Sequence, residues 1–189
     1  MKKFIIIFTA VAISVIYIIR VFYINNNSYA PKIKKYNSSE TVPIENDFFD
    51  SSNEKMNGYS VKLLNTELLT INEFESQYGS INNELQADYI YLVKVLFIND
   101  DNGYGKNAGI DLTQYILQET SYINFINREV YSMVNDFKSL SFSLRMNSEK
   151  EFIIPFGINC NHIDIDRIKN GSPELVISLY TNKKSVKLN

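Results

Sequence analysis

The chain has 189 residues, of which 45% are hydrophobic, so it holds one domain with a sizeable core plus a flank. A formal net charge of −2 gives no general basic field and argues against nucleic acid as a partner. The single Cys excludes an internal disulfide, and with it every disulfide-stapled scaffold.

Residues 1–24 read MKKFIIIFTAVAISVIYIIRVFYI. Two lysines precede an apolar run from Phe4 to Ile19, which Arg20 interrupts and Val21 to Ile24 continue. At about 1.5 Å per residue this stretch covers the roughly 30 Å hydrocarbon core of a bilayer. No small-residue cleavage pattern follows the run, and no Cys follows it for a lipid anchor. Residues 1–24 are therefore expected to be an uncleaved single-span membrane helix, with a cleaved signal as the alternative. Lys2 and Lys3 favour a cytoplasmic amino terminus, whereas Arg20, Lys32, Lys34 and Lys35 argue the opposite way. The short tail and early apolar run behave like an export signal, which favours a single-pass protein of the cytoplasmic membrane with its carboxy-terminal domain outside.

Residues 25–57 are rich in Asn and Ser and contain Pro31 and Pro43, which predicts a polar flexible linker. Lys32, Lys34 and Lys35 form a basic cluster, followed by acids from Glu40 to Glu54. The cluster reads as a solvated spacer, or as a contact for anionic headgroups or wall polymers. Phe48 and Phe49 are candidates to pack onto the following domain or to form part of its first short strand.

From Gly58 the dominant hydrophobic period is two, which signals strands. Gly58–Leu69 is the first. Thr70 and Glu73 then match a capping box, with Ile71, Phe74 and Tyr78 on one helical face and Gly79 as the stop. Asp88–Asn99 is apolar on both faces apart from Lys94 and reads as a central strand. Further strands are expected at Gly109–Leu117 and Ser121–Ile126, then a helical turn at Glu129–Asn135. Ser141–Met146 alternates cleanly. Glu151–Ile158 sets Phe152, Ile154, Phe156 and Ile158 on one face, with Pro155 marking an edge or bulge. A hairpin at Asn147–Lys150 would join these two. Glu174–Thr181 and Ser185–Asn189 close the chain around a turn at Asn182–Lys184. The expected fold is mainly β: an antiparallel β-sandwich over residues 58–189 with one or two short helices, and a barrel as the main alternative. With no Trp and one Cys, only an immunoglobulin-like sandwich lacking the usual disulfide is allowed.

The succession of an amino-terminal anchor, GYSVKLLNTELLTINEFESQYG, DYIYLVKVLFIND, SLRMNSEKEFIIPFGI and ELVISLYTNKKSVKL resembles a family of uncharacterised, membrane-anchored extracytoplasmic domains of Gram-positive bacteria. The resemblance covers roughly residues 58–188. It implies an immunoglobulin-like fold outside the membrane, and it implies no activity and no site residues.

The stretch NCNHIDID, residues 159–166, holds the only Cys and the only His. On a straight strand Cys160, His162, Asp164 and Asp166 would share a face, as a nucleophile pair with a carboxylate or as a mixed-ligand zinc site would need. The apolar phase is even before this stretch and odd after it, at Ile163 and Ile165, so the chain must change phase near 159–161 through a turn or bulge. Same-face neighbours also lie about 6–7 Å apart, too far for base-to-nucleophile hydrogen bonding. The stretch reads as a loop leading into a helical turn from Asp164 to Lys169. Asn99–Asn107 sets Asp100, Asn102 and Gly105 at positions one, three and six of a calcium loop. Tyr104 at five and Asp111 at twelve break the pattern. No catalytic, cofactor-binding or metal-binding residue is assigned, and no cofactor is expected. The leading expectation is a non-enzymatic module that contacts an envelope protein or wall polymer. An extracytoplasmic small-ligand, ion-binding or sensory domain comes second, and a hydrolase on unrecognised carboxylates third.

Overall fold

A computed structural model describes residues 2–28, 31–48, 55–82, 86–101, 103 and 109–188. The chain forms two compact units, Met1–Pro31 and Lys32–Asn189.

The first unit is one helix, α1, Lys2–Asn27. Its segment Phe4–Asn27 has a mean hydropathy of 2.6 and is long and apolar enough to cross a membrane. Its apolar side chains are exposed all round, the pattern of a helix whose surroundings are not a protein core. The hydroxyls of Thr9 and Ser14 donate to the carbonyls of Ile5 and Ala10, which satisfies both polar groups within the helix.

The second unit is built on two main sheets. One has the order β2 (Thr41–Pro43), β3 (Tyr59–Thr70), β4 (Tyr89–Asn99), β9 (Ser148–Ile158), all antiparallel. The other runs β1 (Ile33–Tyr36), β11 (Lys183–Lys187), β10 (Glu174–Ser178), β6 (Ile116–Glu119), β7 (Tyr122–Phe125), antiparallel except for the parallel β1–β11 pair. A two-stranded ribbon pairs β5 (Ile110–Asp111) with β8 (Ser141–Phe142). Inward residues of both sheets fill one core, in a sandwich-like arrangement. Val93, Val95, Phe97, Phe152, Ile154 and Phe156 come from the first sheet, and Leu117, Leu175, Ile177 and Val186 from the second. Phe97 is its centre, edge-on to Tyr115, Phe142 and Phe152. A bridge between Ile126 and Phe156 joins the sheets along one side.

A bulge between Leu63 and Asn65 shifts the phase of β3, so Val61 and Leu63 enter the main core while Leu69 faces outward. There Leu69, Ile90 and Leu92 meet Phe74 of α2 (Ile71–Tyr78) and Val130 of α3 (Arg128–Val134) in a second, smaller core. The capping box at α2 is formed as expected: Glu73 N–H donates to Thr70 Oγ1 at 3.3 Å and Thr70 N–H to Glu73 Oε2 at 2.7 Å. Gly79 ends this helix at φ +100°, a region that favours glycine. As expected, β4 is central and β9 lies at an edge, where Pro155 needs no donor on its outer side.

Five expectations are corrected. The folded unit begins at Lys32, so residues 32–48 belong to it rather than to a linker, with strands at Ile33–Tyr36 and Thr41–Pro43 and with Val42, Ile44 and Asp47 buried. Phe48 packs against the main core, and Phe49 lies outside the described residues. The expected strand Gly109–Leu117 is broken by a 3₁₀ turn, Leu112–Gln114, because the Asp111 side chain accepts from Thr113 N–H and caps it. Ser141–Met146 is a strand only over β8. Leu144 N–H donates to Tyr59 Oη, and its carbonyl accepts from Asn99 Nδ2, so side chains take the place of a ladder. Asn147, at φ 57°, then turns the chain into β9, which pairs with β4 rather than with Ser141–Met146. Lastly, Lys183 and Lys184 lie in β11, and the preceding turn spans residues 179–182.

Candidate functional site

The even-numbered residues Phe152 to Ile158 of β9 point into the core, and the odd-numbered residues of the strand present their backbone to the open side of the sheet edge. Half of that edge is capped. Asn135 brackets Ile153, its Oδ1 accepting from the N–H at 2.9 Å and its Nδ2 donating to the carbonyl at 2.8 Å. Asn127 N–H donates to Pro155 O, and Asn124 Nδ2 donates to Gly157 O. Among the described residues none hydrogen-bonds the outward backbone of Glu149 or Glu151.

Beside this uncapped half lies an open groove of about 240 Å³, lined by residues that include Lys94, Asn135, Asp136, Phe137, Lys150 and Glu151. Lys94 Nζ and Glu151 Oε2 are 2.6 Å apart. Lys150 Nζ lies 5.4 and 5.3 Å from the ring centroids of Phe137 and Phe152, a cation–π geometry, and forms no ion pair among the described residues. Phe152 stacks on Phe142 at 4.2 Å, which continues the aromatic wall. The groove offers a cation, an ion pair, aromatic faces and unpaired backbone, a set suited to binding. Sequence reasoning missed it, because its capping asparagines lie 18 to 33 residues from the strand they cap. Pro155, flagged as an edge marker, was the available signal.

The stretch NCNHIDID is a turn followed by α4, Ile165–Asn170. His162 N–H and Ile163 N–H both donate to Asn159 O, which closes the turn. Asp164 caps α4 by accepting from Asp166 N–H at 3.0 Å, and Gly171 ends it. Cys160, His162, Asp164 and Asp166 are exposed, and no metal-holding cluster of His, Cys, Asp and Glu occurs among the described residues. Cys160 N–H donates to Asp88 Oδ2 at 2.7 Å. Desolvation and the neighbouring Asp88 carboxylate push the Cys160 thiol up, the reverse of what an activated nucleophile needs. Of the calcium-like loop, Asn102, Tyr104 and Gly105 lie outside the described residues, and Asp111 is occupied in capping its 3₁₀ turn.

The most buried charge belongs to Lys184, which is fully buried. Its Nζ donates to Pro43 O at 2.6 Å and Ile44 O at 3.0 Å, and meets Glu45 Oε2 at 2.6 Å and Asp47 Oδ2 at 2.9 Å. Asp47 Oδ1 accepts from the backbone and side-chain nitrogens of Asn182. Burial works to raise the Asp47 carboxyl. Lys184 and Asn182 outweigh it and hold Asp47 below the usual carboxylate range. The basic cluster divides its work: Lys34 pairs with Glu45 and Lys35 with Glu174. Lys35 and Lys184 thereby fasten residues 33–47 to the closing hairpin.

Residues 33–184 match the family described as Domain of unknown function (DUF5028). The chain belongs to this family. The matched span begins at the first residue of β1 and so includes the strands that had read as linker. No curated protein and no solved structure matches the chain.

Proposed function

We propose that this DUF5028 chain is a non-catalytic binding module, held on the outer face of the cytoplasmic membrane by α1. It would contact an envelope protein or wall polymer through the groove beside β9. The observation that carries this reading is the uncapped half of an otherwise capped sheet edge, flanked by exposed aromatic and charged groups. An immunoglobulin-like fold for the paired sheets and a Gram-positive source belong to the same proposal. A small-ligand site is less well supported, since about 240 Å³ falls below the roughly 300–1,000 Å³ of typical ligand pockets.

Two experiments test this reading. Cys160 is exposed, so a membrane-impermeant maleimide applied at pH 8 to wall-stripped intact cells should label it. Labelling only after native lysis would place the domain in the cytoplasm and overturn the proposed topology. A photo-crosslinking amino acid at Phe137, in the groove, should then capture an envelope component that the same group at exposed Phe125 on β7 does not. Equal capture at both positions would remove the groove from the reading.

A further inference from the structure

We propose that the groove accepts an extended segment of a partner protein, which adds as a strand to Glu149–Glu151 and carries charges in the order cation, anion, cation. This rests on the binding-module reading above.

The argument starts from the backbone. Ile153, Pro155 and Gly157 have their outward groups met by Asn135, Asn127 and Asn124. Pro155, which has no N–H, falls on the outward side. The cap stops at Asn135, where the groove opens onto Lys150 and Glu151. An extended peptide laid there would meet the N–H and C=O of Glu149 and of Glu151. These four groups are what a strand adds to in edge recognition.

The side chains then select the occupant. Along this edge the charges read Glu149, Lys150, Glu151. Residues directly opposite on paired strands attract when opposite in charge and repel when alike. A segment with an acidic residue beside Lys150 and basic residues beside Glu149 and Glu151 complements all three, the base at Glu151 meeting the carboxylate oxygen that Lys94 does not. Lys150 is the most selective element, since its ammonium rests between the rings of Phe137 and Phe152 and has no carboxylate among the described residues. The same order disfavours a second copy. Two-fold pairing of this edge with itself sets Glu149 opposite Glu151, Glu149 opposite Glu149, or Glu151 opposite Glu151. An acid faces an acid in each of these registers.

The test uses the full chain in detergent micelles and a fluorescein-labelled heptapeptide, Thr-Val-Lys-Glu-Lys-Val-Thr. Fluorescence anisotropy should show saturable binding, at least tenfold tighter than for the charge-inverted peptide with Glu-Lys-Glu at its centre. Methylating the two lysine amide nitrogens, which face β9 in the added strand, should weaken binding at least tenfold with the charges unchanged. Hydrogen exchange at the Glu149 and Glu151 amides should slow on binding. The variant Glu149→Lys, Lys150→Glu, Glu151→Lys, verified as folded by circular dichroism, should reverse the peptide preference. Absence of binding, equal binding of the methylated peptide, or an unreversed preference each overturns strand addition. If the peptides fail while Phe137 still crosslinks to a wall polymer, the module reading stands and this inference falls. If neither binds, both fall.

Discussion

Replacing Lys184 with Met tests how residues 33–47 are held. The substitution keeps the length of the side chain and removes its charge. Glu45 is half exposed and retains Lys34, so it loses little. Asp47 is 4% exposed and becomes a buried carboxylate whose remaining hydrogen bonds, among the described residues, come from Asn182. The carbonyls of Pro43 and Ile44 also lose a donor. Breaking a buried pair from one side costs about 3–5 kcal/mol. The two Asn182 contacts favour the lower end, so the expected loss is about 3 kcal/mol, or roughly 6–12 °C in Tm for a domain of this size. With no Trp and 13 Tyr in the chain, near-ultraviolet circular dichroism of the tyrosines reports the melt. Adding Asp47→Asn removes the stranded charge but keeps an oxygen for Asn182, and should recover about 1 kcal/mol or more. The sign of the pH dependence follows from Glu45 and Asp47, both held below the usual range when folded. Their contribution is complete above the unfolded values near pH 4 and is lost as pH falls through the depressed ones. Lys184→Met should therefore flatten the acid side of the stability profile. A loss below about 1 kcal/mol, the value of an exposed pair, would refute the reasoning.

Other substitutions probe separate parts of the fold. Thr70→Ala removes the cap of α2 and should cost about 1 kcal/mol in a thermal melt. Tyr115→Phe removes a buried hydroxyl that has no partner among the described residues. It should leave stability unchanged or raise it by up to about 1 kcal/mol, and a clear loss on melting would show that the hydroxyl is satisfied. Asp88→Asn takes a carboxylate from beside Cys160, so its thiol should react several-fold faster with a disulfide reagent at pH 7, in a pH profile shifted to lower pH.

Local signals were legible in the sequence wherever the deciding contacts are local. The capping box at Thr70, the even-numbered apolar face of β9 and the stop at Gly79 each involve residues within a few positions of one another. The phase change near Asn159 likewise announced the turn that separates Cys160 and His162 from any straight stripe. What escaped was decided at long range. Lys184 meets Glu45 and Asp47 across some 140 residues, so polar residues that read as a solvated spacer are in fact partners of a buried cation. The apolar pair Val42 and Ile44 inside that spacer was the signal that it packs. Leu144 likewise alternates as a strand residue should, but Tyr59 and Asn99 reach its backbone first.

The two halves of β9 solve the exposed-edge problem differently, and the difference explains why the groove lies where it does. From Ile153 onward the edge is closed by asparagines and by a proline that needs no partner. Residues 136–140 place no such cap on the remaining half. There the chain instead turns its Phe137 ring toward Lys150 and runs on to pair β8 with β5. That half is guarded by charge alone, with Glu149 and Glu151 repelling a copy of themselves. Charge guards selectively: it turns away like edges and admits a complementary one. An edge closed throughout by asparagine would refuse both, and on the proposal above the open stretch Glu149–Glu151 is where a partner of the right charge order would add.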